Sequence, residues 1–106
     1  MSIYVLLTKL TGAGRHTLHA RPERLLEVNQ EVERFGCRIL AQYAVLGAFD
    51  FVSIVEAPDN GAITQLSAHL GGRGTVSITT LSAIPIERYL ARLDELAAAK
   101  VLKSVP

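Results

Sequence analysis

The chain has 106 residues, a formal charge of +1 and one cysteine, which confines it to a single small domain without an internal disulfide. Neither half carries a basic run, so nucleic acid and anionic membranes are not expected partners. Apolar residues make up 49% and mean hydropathy is +0.28, high for a chain whose small size leaves much of it at the surface. The excess predicts a second apolar face, covered by another copy of the chain. Cys37 suits a reducing cytosol. Met1 to Lys9 has no basic leader and too short an apolar run for a signal peptide or a span, so a cytoplasmic protein is expected.

Ile3 to Lys9 is apolar on both parities and predicts a central strand with both faces covered. Leu10 to Arg21, with two glycines and two histidines, is expected to be a long loop. Pro22 opens a helix whose stripe is Leu25, Leu26, Val28, Val32 and Phe35, with Glu23, Arg24, Glu27, Glu31, Glu33 and Arg34 on the wet face and Gly36 as a left-handed cap. Cys37 to Leu46 reads as a strand with Ile39, Ala41, Tyr43 and Val45 on one face, and Gly47 to Asp50 as a tight turn. Phe51 to Glu56 is the returning strand.

After it, Ala57 to Gly61 breaks the chain and offers Asp59 or Asn60 as an N-cap. A second helix carries Ala62, Ile63, Leu66 and Leu70 and closes at Gly71-Gly72. Thr75 to Leu81 alternates as a strand, with Val76 and Ile78 opposite Thr75, Ser77 and Thr79. Pro85 starts a last helix with Ile86, Tyr89, Leu90, Leu93 and, at its end, Leu96; Ala97 to Pro106 fades from the pattern.

The order β-α-β-β-α-β with an extra C-terminal helix predicts an α+β, ferredoxin-like domain over residues 1–106. Two right-handed crossovers place both main helices on one face of a four-stranded antiparallel sheet. The bare face would pack against a second sheet, giving a dimeric α/β barrel.

Tyr4 to Thr11, Arg21-Pro22, Gly36, Tyr43, Leu46 to Asp50, Glu56 to Asp59 and Gly74 to Leu81 together resemble the GYD-domain family, over about residues 3 to 84. The family's Gly, Tyr, Asp signature falls on Gly47, Phe49 and Asp50, with phenylalanine in place of the tyrosine. The resemblance implies the dimeric barrel, a fold whose relatives include cofactor-free oxygenases, haem-linked enzymes, isomerases and stress-response proteins. It carries over no settled activity and no cofactor.

Among chemistry-bearing groups, Asp50 reads first as a residue bonding its own turn and second as a ligand-facing carboxylate. His16-x-x-His19 could reach one metal from a helix, but no third ligand is evident, and no metal is expected. Gly12-x-Gly14 lacks the third glycine of a dinucleotide loop, and Gly71 to Gly74 is a turn. Cys37 reads as inert packing.

If Val52, Ile54, Val76 and Ile78 pack under the helices, Gln42, Ser53, Ser77 and Thr79 share the opposite face. Tyr4 and Thr8 join them from the first strand, and Arg21 or His16 closes over an anionic group. Two functions then compete. One is a homo-oligomer that binds a small apolar or anionic ligand on the open sheet face, or serves as an assembly scaffold. The other is a small enzyme without an organic cofactor, oxygenase- or isomerase-like, acting on an apolar or aromatic substrate with His16 or His19 as base and Asp50 or Arg21 orienting it. A metal or haem held by a loop histidine is a third, lesser reading.

Overall fold

A computed structural model describes residues 1–104, with side chains described through residue 98. Eight elements follow one another: β1 (Ser2–Leu10), α1 (Gly12–Ala20), α2 (Arg24–Arg34), β2 (Arg38–Ala44), β3 (Phe51–Ala57), α3 (Asn60–Gly71), β4 (Val76–Ala83) and α4 (Ile86–Ser104). The strands form one antiparallel sheet in the order β2-β3-β1-β4, which is the ferredoxin-like topology. The two central strands come from the most apolar segments, where burial on both faces favours β-branched and aliphatic side chains.

Two local readings change. Residues 12–20, expected as loop, form α1. Thr11 caps this helix by accepting from the Gly14 N–H (3.1 Å), and its own N–H and hydroxyl bond the Thr75 and Gly74 carbonyls (3.0 and 2.8 Å). Two glycines and a weak apolar stripe hide this helix from a reading by periodicity; tertiary bonds to the start of β4 hold it. The last helix, expected to fade after Leu96, runs on through Ser104, and residues 105–106 lie outside the described part.

The caps behave as the sequence suggests. Gly36 ends α2 at φ +73°, and Asp59 caps α3 by accepting from the Ala62 N–H at 2.9 Å. The hairpin turns at Gly47, φ +109°, a conformation that only glycine takes without strain.

The core joins one sheet face to α2 and α3. Tyr4, Leu6, Val32, Val55, Ile63, Leu66 and Leu70 are buried there, with Val55 and Leu66 fully closed off. Complete burial of such aliphatic side chains contributes about 1.5–3 kcal/mol each. Within α2, Leu26 departs from the expected stripe and stands 65% exposed.

The register decides which residues share each face. Tyr4, Leu6 and Thr8 lie beside Val55, Ser53 and Phe51, and beside Ser82, Thr80 and Ile78, on the helix side. Ile3, Val5 and Leu7 lie beside Glu56, Ile54 and Val52, and beside Ala83, Leu81 and Thr79, on the other. In β2 a bulge at Leu40 shifts the pairing between Ile39 and Ala41. Ile39 therefore joins Gln42 on the helix side, while Ala41 and Tyr43 turn to the open face, against the simple alternation expected.

α4 makes no comparable packing with the sheet. The body measures 68 × 29 × 20 Å with a radius of gyration of 18.1 Å, against about 13 Å for a compact domain of this length. Ile86, Tyr89, Leu90, Leu93 and Leu96 along it are all exposed. Among the described residues no helix is long and apolar enough to cross a membrane.

Candidate functional site: a cavity under the helices and an open sheet face

Between the helix side of the sheet and the α1–α2 layer lies a cavity of about 130 Å³. The sheet supplies Leu6, Thr8, Phe51, Ser53, Val55, Ile39 and Gln42; α2 supplies Leu25, Val28, Asn29 and Val32; α1 supplies Gly14, Thr17 and Leu18. Gly14 is buried here because α1 runs against Thr75: a Cβ at this position would stand 2.0 Å from the Thr75 carbonyl oxygen.

A short polar track crosses this apolar wall. Asn29 and Gln42 pair reciprocally, Asn29 Nδ2 donating to Gln42 Oε1 (2.8 Å) and Gln42 Nε2 to Asn29 Oδ1 (3.3 Å). Gln42 Nε2 also donates to Ser53 Oγ at 3.1 Å. Ser53 is buried, at 5% exposure. Among the described residues no acceptor takes the Ser53 hydroxyl proton, and the Thr8 hydroxyl beside the cavity has no partner either.

At one end Arg24 and Arg73 reach the cavity wall inside a lattice of charges. Arg24 pairs with Glu27 (2.9 Å) and Glu31 (3.7 Å), and Arg73 with Glu31 (2.6 Å) and with His69 Nε2 (2.9 Å). Arg21 pairs with Glu27 (2.7 Å) and Glu23 (3.3 Å) on the exposed side. Glu31 is the hub: the Arg73 guanidinium in contact with it holds its carboxyl below the usual range, against a desolvation that pushes it up. Glu27 is lowered too, first by its bond to Arg24. At the end of the cavity the Arg24 and Arg73 guanidinium groups are thus matched by the Glu27 and Glu31 carboxylates, which leaves no surplus charge there.

The residues expected to share one ligand-binding face are divided between two. Thr8, Gln42 and Ser53 line the cavity on the helix side, and Tyr4, on the same side, is buried with its hydroxyl donated to Asn60 Oδ1. Ser77 and Thr79 stand exposed on the opposite face with Val52 and Ile54. The cause is the assumed pairing: Val52 and Ile54 lie on the open face, whereas Val76 and Ile78 lie under the helices. Arg21 is engaged by Glu23 and Glu27 and does not reach the cavity.

His16 and His19 are exposed on α1, and neither lines the cavity. Among the described residues no three or more His, Cys, Asp or Glu side chains gather where a metal could be held. The Asp50 carboxylate accepts from the Leu10 N–H at 2.7 Å, and its N–H donates to the Thr8 carbonyl at 2.8 Å, so it ties the hairpin turn to the end of β1. Cys37 is buried with its thiol against the Phe35 carbonyl, and burial, aided by Asp59, pushes its pKa up.

Asn29, Glu31 and Arg73 were not singled out from the sequence. Asn29 sits at the spacing of the α2 stripe, one turn after Leu25, which was a legible signal for an inward polar group. Arg73 lies in a glycine turn and gave none.

The open face is the second distinctive surface. Ile3, Val5, Leu7, Val52 and Ile54 form its half-buried centre, with Tyr43 (61% exposed) and Leu81 (46%) toward the outer strands.

Comparison with known proteins gives the family. Residues 4–93 match the GYD domain family. A protein of Thermus thermophilus described as glutamine synthetase and cystathionine beta-lyase binding protein is 50% identical over 94 residues, covering 88% of this chain and 99% of that protein. The chain belongs to the GYD-domain family.

Proposed function

We propose that this chain is a protein-docking subunit: a cytoplasmic homo-oligomer that binds metabolic enzymes of the kind its Thermus relative is named for. The observation that carries the reading is the presence of two apolar surfaces that the chain leaves uncovered. The open sheet face suits a second copy, because sheets pack face to face through such aliphatic side chains. The apolar stripe of α4, bordered by Glu87, Arg88, Arg92, Asp94 and Glu95, suits a groove on an enzyme partner. The relative's name supports an enzyme as that partner. The competing reading, a small enzyme with His16 or His19 as base, draws no support from the geometry, since neither ring lines the cavity.

The test separates the two surfaces. Native mass spectrometry of the isolated chain is expected to give multiples of its 11.5 kDa mass. Val5→Asp on the sheet face should yield monomers. Leu93→Glu on α4 should leave the oligomer intact and abolish binding to purified glutamine synthetase and cystathionine beta-lyase of the same host. A monomeric wild type, or a wild type that binds neither enzyme, overturns the proposal.

A further inference from the structure

We propose that the cavity beneath α1 and α2 is a binding site for a small, uncharged, ring-sized apolar molecule that carries one hydrogen-bond acceptor, such as a ketone. The site is separate from the docking surfaces, because it opens on the helix side of the sheet and neither the open face nor α4 contributes to it.

Three observations define the ligand. The first is size. A volume of about 130 Å³ is close to the roughly 150 Å³ apolar cavity that stays dry and takes up benzene. Leu6, Val28, Val55 and Phe51 give the space apolar walls, so a hydrocarbon ring is favoured over water.

The second is the unspent hydroxyl. Gln42, paired with Asn29, points an N–H at Ser53 Oγ, so this oxygen serves as an acceptor and directs its proton elsewhere. A buried donor without an acceptor is costly. A carbonyl oxygen in the cavity satisfies it, and the partnerless Thr8 hydroxyl provides a second donor on the same wall.

The third is charge. Arg24 and Arg73 reach the wall, but Glu27 and Glu31 already pair with them. An anion would have to displace a carboxylate that is held close, so the site favours a neutral molecule over an acid.

Three cyclohexane-ring probes test this on the intact protein: cyclohexanone, methylenecyclohexane and cyclohexanecarboxylate. Methylenecyclohexane keeps the shape of the ketone and replaces its oxygen by carbon. Titrations followed by amide NMR should show cyclohexanone perturbing Leu6, Ser53 and Val28 and binding roughly three- to tenfold tighter than methylenecyclohexane, the effect of one net hydrogen bond. In Ser53→Ala the advantage of the ketone should shrink, Thr8 remaining as donor, with the methylenecyclohexane value staying as in wild type. In Val28→Phe, which fills the space from α2, all three probes should lose binding. Equal affinity of ketone and alkene in wild type overturns the role of Ser53. Tightest binding by the carboxylate overturns the neutral class, and no binding of any probe overturns the site.

Discussion

Replacing Gly14 by alanine sets two physical effects against each other, and the structure decides the sign. In an unconstrained helix interior the change would stabilise by about 1 kcal/mol, since glycine is the poorer helix former. Here the added Cβ would stand 2.0 Å from the Thr75 carbonyl oxygen and 3.0 Å from its carbon, both backbone atoms. Comfortable C···O contacts begin at about 3.3 Å, so α1 and the start of β4 must separate by more than an ångström. That movement breaks what fastens α1 to the sheet: the Thr11 N–H bond to Thr75 and the Thr11 hydroxyl bond to Gly74. Each such bond is worth about 1 kcal/mol, and the disturbed N-cap costs about as much again. After the gain in helix propensity, a net loss of about 2 kcal/mol is expected, or about 8–15 °C in Tm for a domain this size. Urea denaturation followed by circular dichroism measures it. Gly12→Ala is the control, because a Cβ there meets nothing within 4 Å. If Gly14→Ala is as stable as wild type or more so, the tight approach of α1 to Thr75 is wrong, and with it the geometry of the cavity roof.

Two further perturbations probe the charge lattice and the hairpin. Glu31 has a depressed carboxyl pKa in the folded chain, so its stabilising effect is present above the ordinary carboxylate range near pH 4.3 and is lost as pH falls through the lower folded value. Glu31→Gln should cost about 2 kcal/mol at pH 7 by leaving Arg73 without its anion, and should flatten the acid limb of stability against pH. Parallel curves for variant and wild type would refute the hub role. Asp50→Ala should cost about 1.5–3 kcal/mol, because the Leu10 N–H loses a charged acceptor at 2.7 Å. Asp50→Asn, which keeps an acceptor, should cost less. Faster hydrogen exchange at the Leu10 amide in the alanine variant would check the cause, and unchanged exchange would count against it.

The local grammar of this chain was legible before any coordinates. Apolar runs bounded by Gly36, Gly47, Asp59 and Pro85 place strands and helices, and their order admits only a few topologies, because crossovers are right-handed. Asp50, read as bonding its own turn, instead accepts with its carboxylate from the Leu10 N–H, forty residues away. What escaped is what distance along the chain cannot encode. α1 exists because Thr11 and Gly14 meet Thr75, more than sixty residues away, and no periodic stripe announces it. The division of Thr8, Gln42 and Ser53 from Ser77 and Thr79 follows from register. With apolar side chains on both faces of β1 and β3, alternation cannot say which face is covered, and the bulge at Leu40 reverses parity within β2. The cavity itself belongs to neither strand nor helix; it is the space left where α1 and α2 meet the sheet, and only tertiary packing sets its size and lining.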